Sequence, residues 1–356
     1  MKILGICAYY HDSGAALLIN GEIVAAVQER CFASVTHMAV PTHSISYCLR
    51  ETGIELKDLD SIVFYEKPLI ISKPLDETKF INPLAKGFND CLQAMPLQRD
   101  KQFFRPMFIK ELAAFGNCKR SELPLVEFIE HNQSQATSAF FLSPFQRTAV
   151  ICVNSVGEWA TASVWLGREN ELIRAWKLDF PNSFKILCSA FTYYTGIQLN
   201  SDEYRLRELA HKGKPKYANL FLDKLLHFNE NGTFQINTDY LYSSIQLTMT
   251  NKKFDQFYEA SSRWENKISQ WEMDVAASIQ KVIEEIILRL VNTVYERLGE
   301  NCLCLAGDVA HYHILNGRIM RENPFRDIWI QPRGEHSRSA ALAVWFNAVK
   351  NNALSV

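Results

Sequence analysis

The sequence predicts an α/β protein of two lobes, and three observations support this prediction. The first is size and composition: 356 residues, 47% of them apolar and 22% charged, exceed what one hydrophobic core usually holds and suit two domains. The second is a unit of three strands that occurs twice along the chain. The third is the alternation of strands and helices towards the carboxyl end, which predicts largely parallel sheets covered on both faces.

The first copy of the three-strand unit opens the chain. Lys2–Cys7 is a strand, Tyr9–Ser13 a polar loop and Gly14–Ile19 a second strand. Asn20-Gly21 predicts a tight hairpin turn, because these two residues readily adopt the positive φ angles that such turns need. Glu22–Gln28 is then the third strand.

The second copy begins at residue 148. Its strands are Thr148–Val153, Trp159–Leu166 and Leu172–Leu178, with a polar loop at Asn154–Glu158 and a turn at Gly167–Glu171. Duplication of such a unit is typical of actin-like (ASKHA) ATPase folds, in which the two loops face each other across a cleft. Because paired hairpins also occur in other α/β proteins, the pattern alone leaves those folds open.

The later segments alternate between helix and strand. Trp271–Leu298 has apolar residues at helical spacing and leads into a buried strand, Cys302–Gly307. A helix then reaches about Arg321, Ile328–Gln331 is the next strand, and Ser337–Lys350 is a final apolar helix. These elements belong to the second lobe.

The two lobes are predicted at residues 1–145 and 146–356. Residues 66–125, which contain several prolines, and residues 180–265, which are rich in aromatic side chains, are predicted as insertions on the two lobes. Neither insertion is a low-complexity linker.

Charge and composition exclude several classes of protein. The formal net charge of −1 argues against a broad nucleic-acid surface, and no apolar run approaches the roughly 20 residues that span a bilayer. The opening MKILGIC runs directly into a strand pattern without the layout of a signal peptide. Nine cysteines without a CxxC pair indicate buried, reduced thiols, so we expect a cytoplasmic protein.

A series of ordered motifs resembles one enzyme family, the NodU/CmcH/TobZ-type O-carbamoyltransferases, over nearly all of residues 1–345. Those motifs are GICAYYHDSGAAL, SIVFYEKPL, EFIEHNQSQATSAFFLSPF, VGEWATAS, SAFTYYTG, LNSDEY, LTMTN, DVAASIQ, LCLAG, NGRI and DIWIQP. The resemblance implies an amino-terminal, TsaD-like domain that transfers a carbamoyl group from carbamoyl-adenylate to a hydroxyl. A second, YrdC-like domain makes that adenylate in the family, and we expect this chain to lack it.

The resemblance also implies a metal site, which this sequence changes. The family uses a HisHisXXHis stretch, whose first and last histidines lie on one helical face, together with an aspartate from a later loop. Here His131 is kept, Gln135 replaces the last histidine and His336 stands at the aspartate position. We therefore expect no metal, or weak binding of a divalent metal such as Fe or Zn.

The nucleotide glycines implied by the resemblance are changed as well. Gly307 is kept at the end of a strand, but Asp308 follows it where the family has a second glycine, and its charge opposes a phosphate. We therefore expect poor binding of ATP or carbamoyl-adenylate. The other replacements at glycine, aspartate or proline positions of the family are Asn154, Ser155, Asp202, Glu208, His211, Arg338 and Ser339.

Other functional positions match the family. His11, Asp12 and Ser13 match a loop whose histidine lies near the transferred carbamoyl, where it would act as a general base or hydrogen-bond donor. The alternative is that His11 and Asp12 only order this loop. Gly157, Glu158, Asn316, Gly317, Glu29 and His37 also match, although the basic run between the last two is replaced by Ser34-Val35-Thr36.

A second metal site is a separate hypothesis. His311, His313 and His336 differ from the family, and Asp308 and Glu335 lie beside them in sequence. Together they would suit Fe, Zn or Mn, whereas the alternative is that they are surface residues of variable loops.

Three functions therefore remain open. In the first, the chain is a non-catalytic or accessory partner of a full-length carbamoyltransferase or its substrate, in a carbamoylation or natural-product pathway. Alternatively, it transfers carbamoyl from an adenylate made by a YrdC-like partner to a small-molecule hydroxyl acceptor. The third possibility is different chemistry at the relocated histidines. We expect a homo- or heterodimer, and neither a nucleic-acid nor a membrane partner.

Overall fold

The computed structural model describes residues 1–9, 13–32, 40–67, 101–154, 160–179, 182–184, 187, 188, 191, 208–241 and 269–332. In chain order its strands and helices are β1 (Lys2–Cys7), β2 (Gly14–Ile19), β3 (Glu22–Gln28), α1 (Thr42–Thr52), β4 (Ser61–Phe64), α2 (Lys101–Phe115), β5 (Leu125–Phe128), α3 (His131–Phe141), β6 (Arg147–Val153), β7 (Ala160–Arg168), β8 (Glu171–Asp179), α4 (Ala218–Leu225), β9 (Leu226–Phe228), β10 (Phe234–Ile236), α5 (Thr238–Leu241), α6 (Gln270–Leu298), β11 (Cys302–Gly307), α7 (His313–Glu322) and β12 (Asp327–Ile330). The predicted helix Ser337–Lys350 lies outside the described residues.

The first sheet has the strand order β3-β2-β1-β4-β5. Strands β1, β2 and β3 pair antiparallel, whereas β4 and β5 run parallel to β1. The β2–β3 turn has φ angles of 53° at Asn20 and 93° at Gly21, as the Asn-Gly pair predicts. The first copy of the three-strand unit is confirmed.

The second sheet repeats this order as β8-β7-β6-β11-β12. Strands β6, β7 and β8 are antiparallel, and β11 and β12 run parallel to β6. Helices also repeat: α1 and α6 each precede the fourth strand of a unit, and α2 and α7 each lie between the fourth strand and the fifth. The duplicated, actin-like α/β fold is therefore confirmed.

One element of the second unit differs from the prediction. Gly167 lies inside the β7–β8 ladder, opposite Leu172, and the turn contains only residues 169 and 170. A Cβ atom at Gly167 would lie 2.6 Å from the ring of Phe140. The glycine is therefore needed because α3 packs closely on the strand, whereas the sequence pattern suggested a turn.

The core of the first lobe includes a helix from the range predicted as an insertion. Phe104, Phe108 and Leu112 of α2 recur every four residues and are buried in the cluster that also holds strand β4. Burying each of these side chains contributes roughly 1.5–3 kcal/mol.

No helix in the described part of the chain is both long and apolar enough to cross a membrane.

Helix α6 is the long helix of the second lobe. It begins after Ser269, whose side chain accepts from the Trp271 N–H in a capping box with Glu272, and it ends at Gly299 with φ of 65°. Its apolar stripe is buried in the largest core cluster. The prediction of this helix is confirmed to within one residue.

Helix α3 connects the two sheets. It follows β5 of the first sheet directly, yet Ala136, Ala139 and Phe140 pack against Val150 of β6 and Cys304 of β11. The segment that carries His131 and Gln135 is therefore fixed to the second sheet, although its sequence follows the first.

Candidate functional site

The candidate site is formed at the carboxyl ends of the central strands, where β1 and β4 of the first sheet and β6 and β11 of the second sheet stop. Several predicted site residues lie outside the described part of the chain. They are His11, Asp12, His37, Ser155, Gly157, Glu158, Asp202, Glu335, His336, Arg338 and Ser339.

Tyr9 leads from β1 into the loop predicted to carry His11 and Asp12. Its φ angle is 66°, which is unusual for a residue with a side chain. The Tyr9 hydroxyl donates to Glu111 Oε2 at 2.6 Å, and its ring packs beside Phe104 and Phe108. Burial, and then the Glu111 carboxylate, raise the pKa of Tyr9, so its hydroxyl stays protonated. Side-chain packing thus holds a strained backbone at the loop entrance.

Ser13 follows the same loop and is 7% exposed. Its Oγ is buried and has no hydrogen-bond partner among the described residues, while its carbonyl accepts the Glu29 N–H at 2.8 Å. A buried hydroxyl without a partner costs free energy, so Ser13 Oγ is an unmet hydrogen-bonding group at the end of this loop.

Glu29, which matches the family, caps a helix. Its carboxylate accepts from the backbone N–H groups of His43 (3.1 Å) and Ser44 (2.8 Å) at the start of α1, and also from both side chains. Burial pushes the pKa of Glu29 upward, but the hydrogen bonds from Ser44 and His43 outweigh it and leave the pKa below its usual value. This structural role accounts for the match.

His131 and Gln135 have different surroundings on α3. His131 is partly exposed, and its ring meets the ring of Tyr65, at the end of β4, edge-on at 5.4 Å between centroids. Gln135 is only 4% exposed, and its Oε1 accepts from the Cys152 thiol at 3.1 Å. The two positions therefore do not form one open pair of ligands.

A buried amide–thiol cluster surrounds Gln135, and consists of Asn132, Gln135, Cys152 and Asn154. The Asn154 amide donates to Asn132 Oδ1 and also to Cys152 Sγ at 3.4 Å, and Asn132 Nδ2 donates to the Ala160 carbonyl at 3.1 Å. Burial, together with the charge of Asp308, raises the pKa of Cys152, so the thiol stays protonated. The cluster is neutral, and its members hydrogen-bond one another.

Gly307 ends β11 beside this cluster with φ of 80°. A Cβ there would lie 2.4 Å from the Val153 carbonyl oxygen and 2.6 Å from Asn154 Oδ1. The glycine is therefore required by close packing of β11 on the end of β6. Asp308 follows in an exposed position and starts the 3₁₀ turn Asp308–His311.

The match to known proteins decides the family. A profile of the carbamoyltransferase N-terminus matches residues 2–344. The chain belongs to the carbamoyltransferase N-terminal family.

Individual relatives agree with this assignment. An uncharacterized protein of Synechocystis sp. is 50% identical over 355 residues, covering 98% of this chain and 58% of that protein. The nodulation protein NolNO of Sinorhizobium fredii is 26% identical, covering 94% of this chain and 45% of that protein. The chain thus spans about half the length of these two relatives.

Solved structures of other proteins align over nearly the whole chain. The ROK hexokinase of Thermus thermophilus is 10% identical with a TM-score of 0.49, covering 98% of this chain and 100% of its own. The 2-hydroxyisocaproyl-CoA dehydratase activator of Clostridium difficile is 14% identical with a TM-score of 0.43, covering 100% of this chain and 98% of its own.

Among the described residues, the side chains at positions 131 and 135 do not form the pair of metal ligands that the family resemblance implies. A transition metal needs imidazole, carboxylate or thiolate donors, whereas position 135 offers a buried amide and Cys152 a protonated thiol. His311 is partly buried, and His313 is exposed as the first residue of α7. In the part of the chain described here, no three His, Cys, Asp or Glu side chains are grouped around one point.

Asn316 lies in α7 and is 5% exposed. Its amide donates to the Ala310 carbonyl at 2.8 Å, which fixes the 3₁₀ turn after β11, and its Oδ1 has no hydrogen-bond partner among the described residues. Asn316 therefore has a structural role, and its Oδ1 remains an unused acceptor.

Glu208 and His211, two further replaced positions, are exposed.

Sequence reasoning missed the partners that shape both strand ends. Glu111 lies 102 residues from Tyr9, and Cys152 lies 17 residues from Gln135. A signal was present for the cluster, because Asn132, Cys152 and Asn154 are polar or thiol residues flanking apolar runs that were predicted to be buried.

Proposed function

We propose that this carbamoyltransferase-family domain has lost its metal-dependent catalysis and serves a carbamoylation pathway, such as one of natural-product biosynthesis, as an accessory partner. The partner would be a full-length carbamoyltransferase or the hydroxyl compound that it modifies. One observation carries the proposal. The Gln135 side chain is buried in a neutral cluster with Cys152, at the position where the family resemblance implies a histidine ligand.

The cluster opposes metal binding for two physical reasons. Turning Gln135 towards an ion would take away the nearest acceptor of the buried Cys152 thiol, at a cost of about 1–3 kcal/mol. The amide oxygen would then be a weaker ligand for Fe or Zn than the imidazole that it replaces. Of the three ligand positions that the resemblance implies, only His131 and His336 would then carry an imidazole, and His336 lies outside the described residues.

We also propose that nucleotide binding is weak, and Asp308 supports this. Its exposed carboxylate follows Gly307 directly, at the turn where the family resemblance places a phosphate. Two like charges about 4 Å apart repel by roughly 1–4 kcal/mol between water and a near-surface dielectric, which weakens binding by about ten- to a thousandfold.

The test is a transfer assay with the purified chain, synthetic carbamoyl-adenylate and a panel of alcohols, alongside metal analysis. We expect no carbamate and no stoichiometric Fe or Zn. Pull-down of the chain with a full-length carbamoyltransferase should show binding. A carbamate product that disappears in His11→Ala would reject the accessory role.

A second candidate is a working transfer component that receives carbamoyl-adenylate from another protein. The observation that favours it is at β1, where Tyr9 keeps a strained φ of 66° and a hydrogen bond to Glu111. Strain of this kind is concentrated at functional sites. The same assay separates the two candidates, because only this one predicts a product that depends on His11.

A further inference from the structure

Two arginines face each other at the end of the second sheet that lies away from the amide–thiol cluster. Arg147 is the first residue of β6, Arg168 is the last of β7, and the two are paired directly across the antiparallel ladder. Like charges at directly opposite positions destabilise a strand pair. A nearby group must therefore compensate this arrangement.

Glu300 provides part of that compensation. It follows Gly299, which ends α6, and its side chain is only 5% exposed. Its Oε1 accepts from Arg147 Nη2 at 3.1 Å, and from Arg168 Nη2 and Nε at 2.9 and 3.2 Å. A buried carboxylate needs such paired donors, so Glu300 fixes the two guanidinium groups near one point.

Glu300 balances only one of the two arginine charges. Two arginines meet one glutamate, and no second carboxylate of the described residues forms an ion pair with either arginine. Their side chains remain 61% and 48% exposed. A guanidinium has five N–H donors, and these contacts use one from Arg147 and two from Arg168. The remaining donors are free for an acceptor from outside.

We propose that Arg147 and Arg168 form an oxyanion-binding site, held in place by Glu300, for a phosphate or carboxylate group. Planar guanidinium groups bind such groups through parallel N–H···O bonds, and a pair already fixed by a buried residue loses little side-chain freedom on binding. The site lies at the amino-terminal end of β6, whereas the amide–thiol cluster lies at its carboxyl-terminal end. It therefore goes beyond the proposed function and does not depend on it.

The first test compares anion binding in matched arginine variants. Arg147→Gln removes the surplus charge, yet Glu300 keeps both contacts with Arg168, so the fold should survive. Arg326→Gln is the control, since Arg326 is 71% exposed and pairs with Asp327 instead. NMR titrations with inorganic phosphate and with an acetylated glutamate-rich peptide, each against chloride at equal ionic strength, give the affinities.

We expect millimolar or tighter binding of at least one of the two probes, and about a tenfold weaker Kd in Arg147→Gln, as the loss of one charge-assisted contact predicts. Arg326→Gln should match the unmodified chain. Binding of phosphate alone would identify a phosphate ligand, and binding of the peptide alone an acidic protein segment. Equal responses to both probes and to chloride, or an Arg147→Gln variant that binds as before, would overturn the proposal.

Glu300→Gln gives an independent test that does not require a known ligand. This variant leaves both arginines without their carboxylate, so its melting temperature should fall. Phosphate should then raise that temperature more in Glu300→Gln than in the unmodified chain, because the ion takes the place of the missing charge. A phosphate response that is equal in the two proteins, measured against chloride, would contradict an oxyanion site.

Discussion

The two sheets have the same strand order but differ at their carboxyl ends. At the end of β1, Tyr9 holds a strained φ of 66° and the Ser13 hydroxyl is buried without a partner among the described residues. At the end of β6, Asn154, Cys152 and Gln135 satisfy one another in a neutral cluster. The two sheets thus share one scaffold, but the end of β1 has a strained residue and an unpartnered hydroxyl, whereas the end of β6 is closed packing.

The first and largest test of this comparison is Gly307→Ala. A Cβ would meet the Val153 carbonyl at 2.4 Å, and φ of 80° with ψ of −161° is a region that only glycine adopts readily. We expect a loss of about 3 kcal/mol or more in the free energy of unfolding, measured by urea denaturation.

Gly53→Ala is the matched control in the first lobe. Gly53 has φ of 65° at the end of α1, but a Cβ there would have no atom within 4 Å. Its loss should be about 1 kcal/mol, the cost of left-handed backbone alone. Equal losses in the two variants would show that the end of β11 is not tightly packed.

A second test removes the centre of the amide–thiol cluster. Gln135→Ala takes away the acceptor of the Cys152 thiol and leaves a buried gap, so we expect a loss of about 2 kcal/mol in unfolding free energy. Gln133→Ala, on the same helix but less buried, is the control and should change stability little. If adding Zn or Fe stabilised the unmodified chain and this effect vanished in Gln135→Ala, Gln135 would be a ligand after all.

The sequence predicted the scaffold well and the strand ends poorly, for physical reasons. Apolar runs and Asn20-Gly21 are local signals, so the three-strand units were recognisable. Gly167 was misread because a glycine needed for close packing is indistinguishable in sequence from one needed for a turn. The Tyr9–Glu111 contact joins residues 102 apart, and left-handed backbone at a tyrosine runs against its own conformational preference.

The third test uses acid to compare the equivalent helices α1 and α6. Each has a carboxylate near its first turn: Glu29 accepts from N–H groups at the start of α1, and Asp274 of α6 accepts from the Lys214 N–H of a preceding segment. Burial of Asp274 opposes its ionisation, but hydrogen bonds from Lys216, the Lys214 N–H and Gln270 bring its pKa down to about 2. Because the folded pKa is depressed, this stabilisation is present above pH ~4 and is lost as pH falls towards 2.

Thermal unfolding at constant ionic strength over this pH range gives the measurement. The melting temperature of the unmodified chain should fall steadily with acid. Asp274→Asn should start lower and fall less, because it has no charge left to lose. Glu29→Gln should likewise make the melting temperature fall less with acid, since the pKa of Glu29 is also below its usual value. An unchanged slope in Asp274→Asn would show that this carboxylate does not anchor α6.

The smallest expected effect is at the end of β1, with Tyr9→Phe. This change keeps the ring against Phe104 and Phe108 but removes the hydroxyl that donates to Glu111. Loss of this hydrogen bond should cost about 1 kcal/mol in unfolding free energy, about half the cost of Gln135→Ala. Glu111→Gln, which keeps an acceptor for the hydroxyl, is the control and should cost less. If instead Tyr9→Phe were as damaging as Gln135→Ala, the end of β1 would be as firmly packed as the end of β6, and the contrast between the two strand ends would fail.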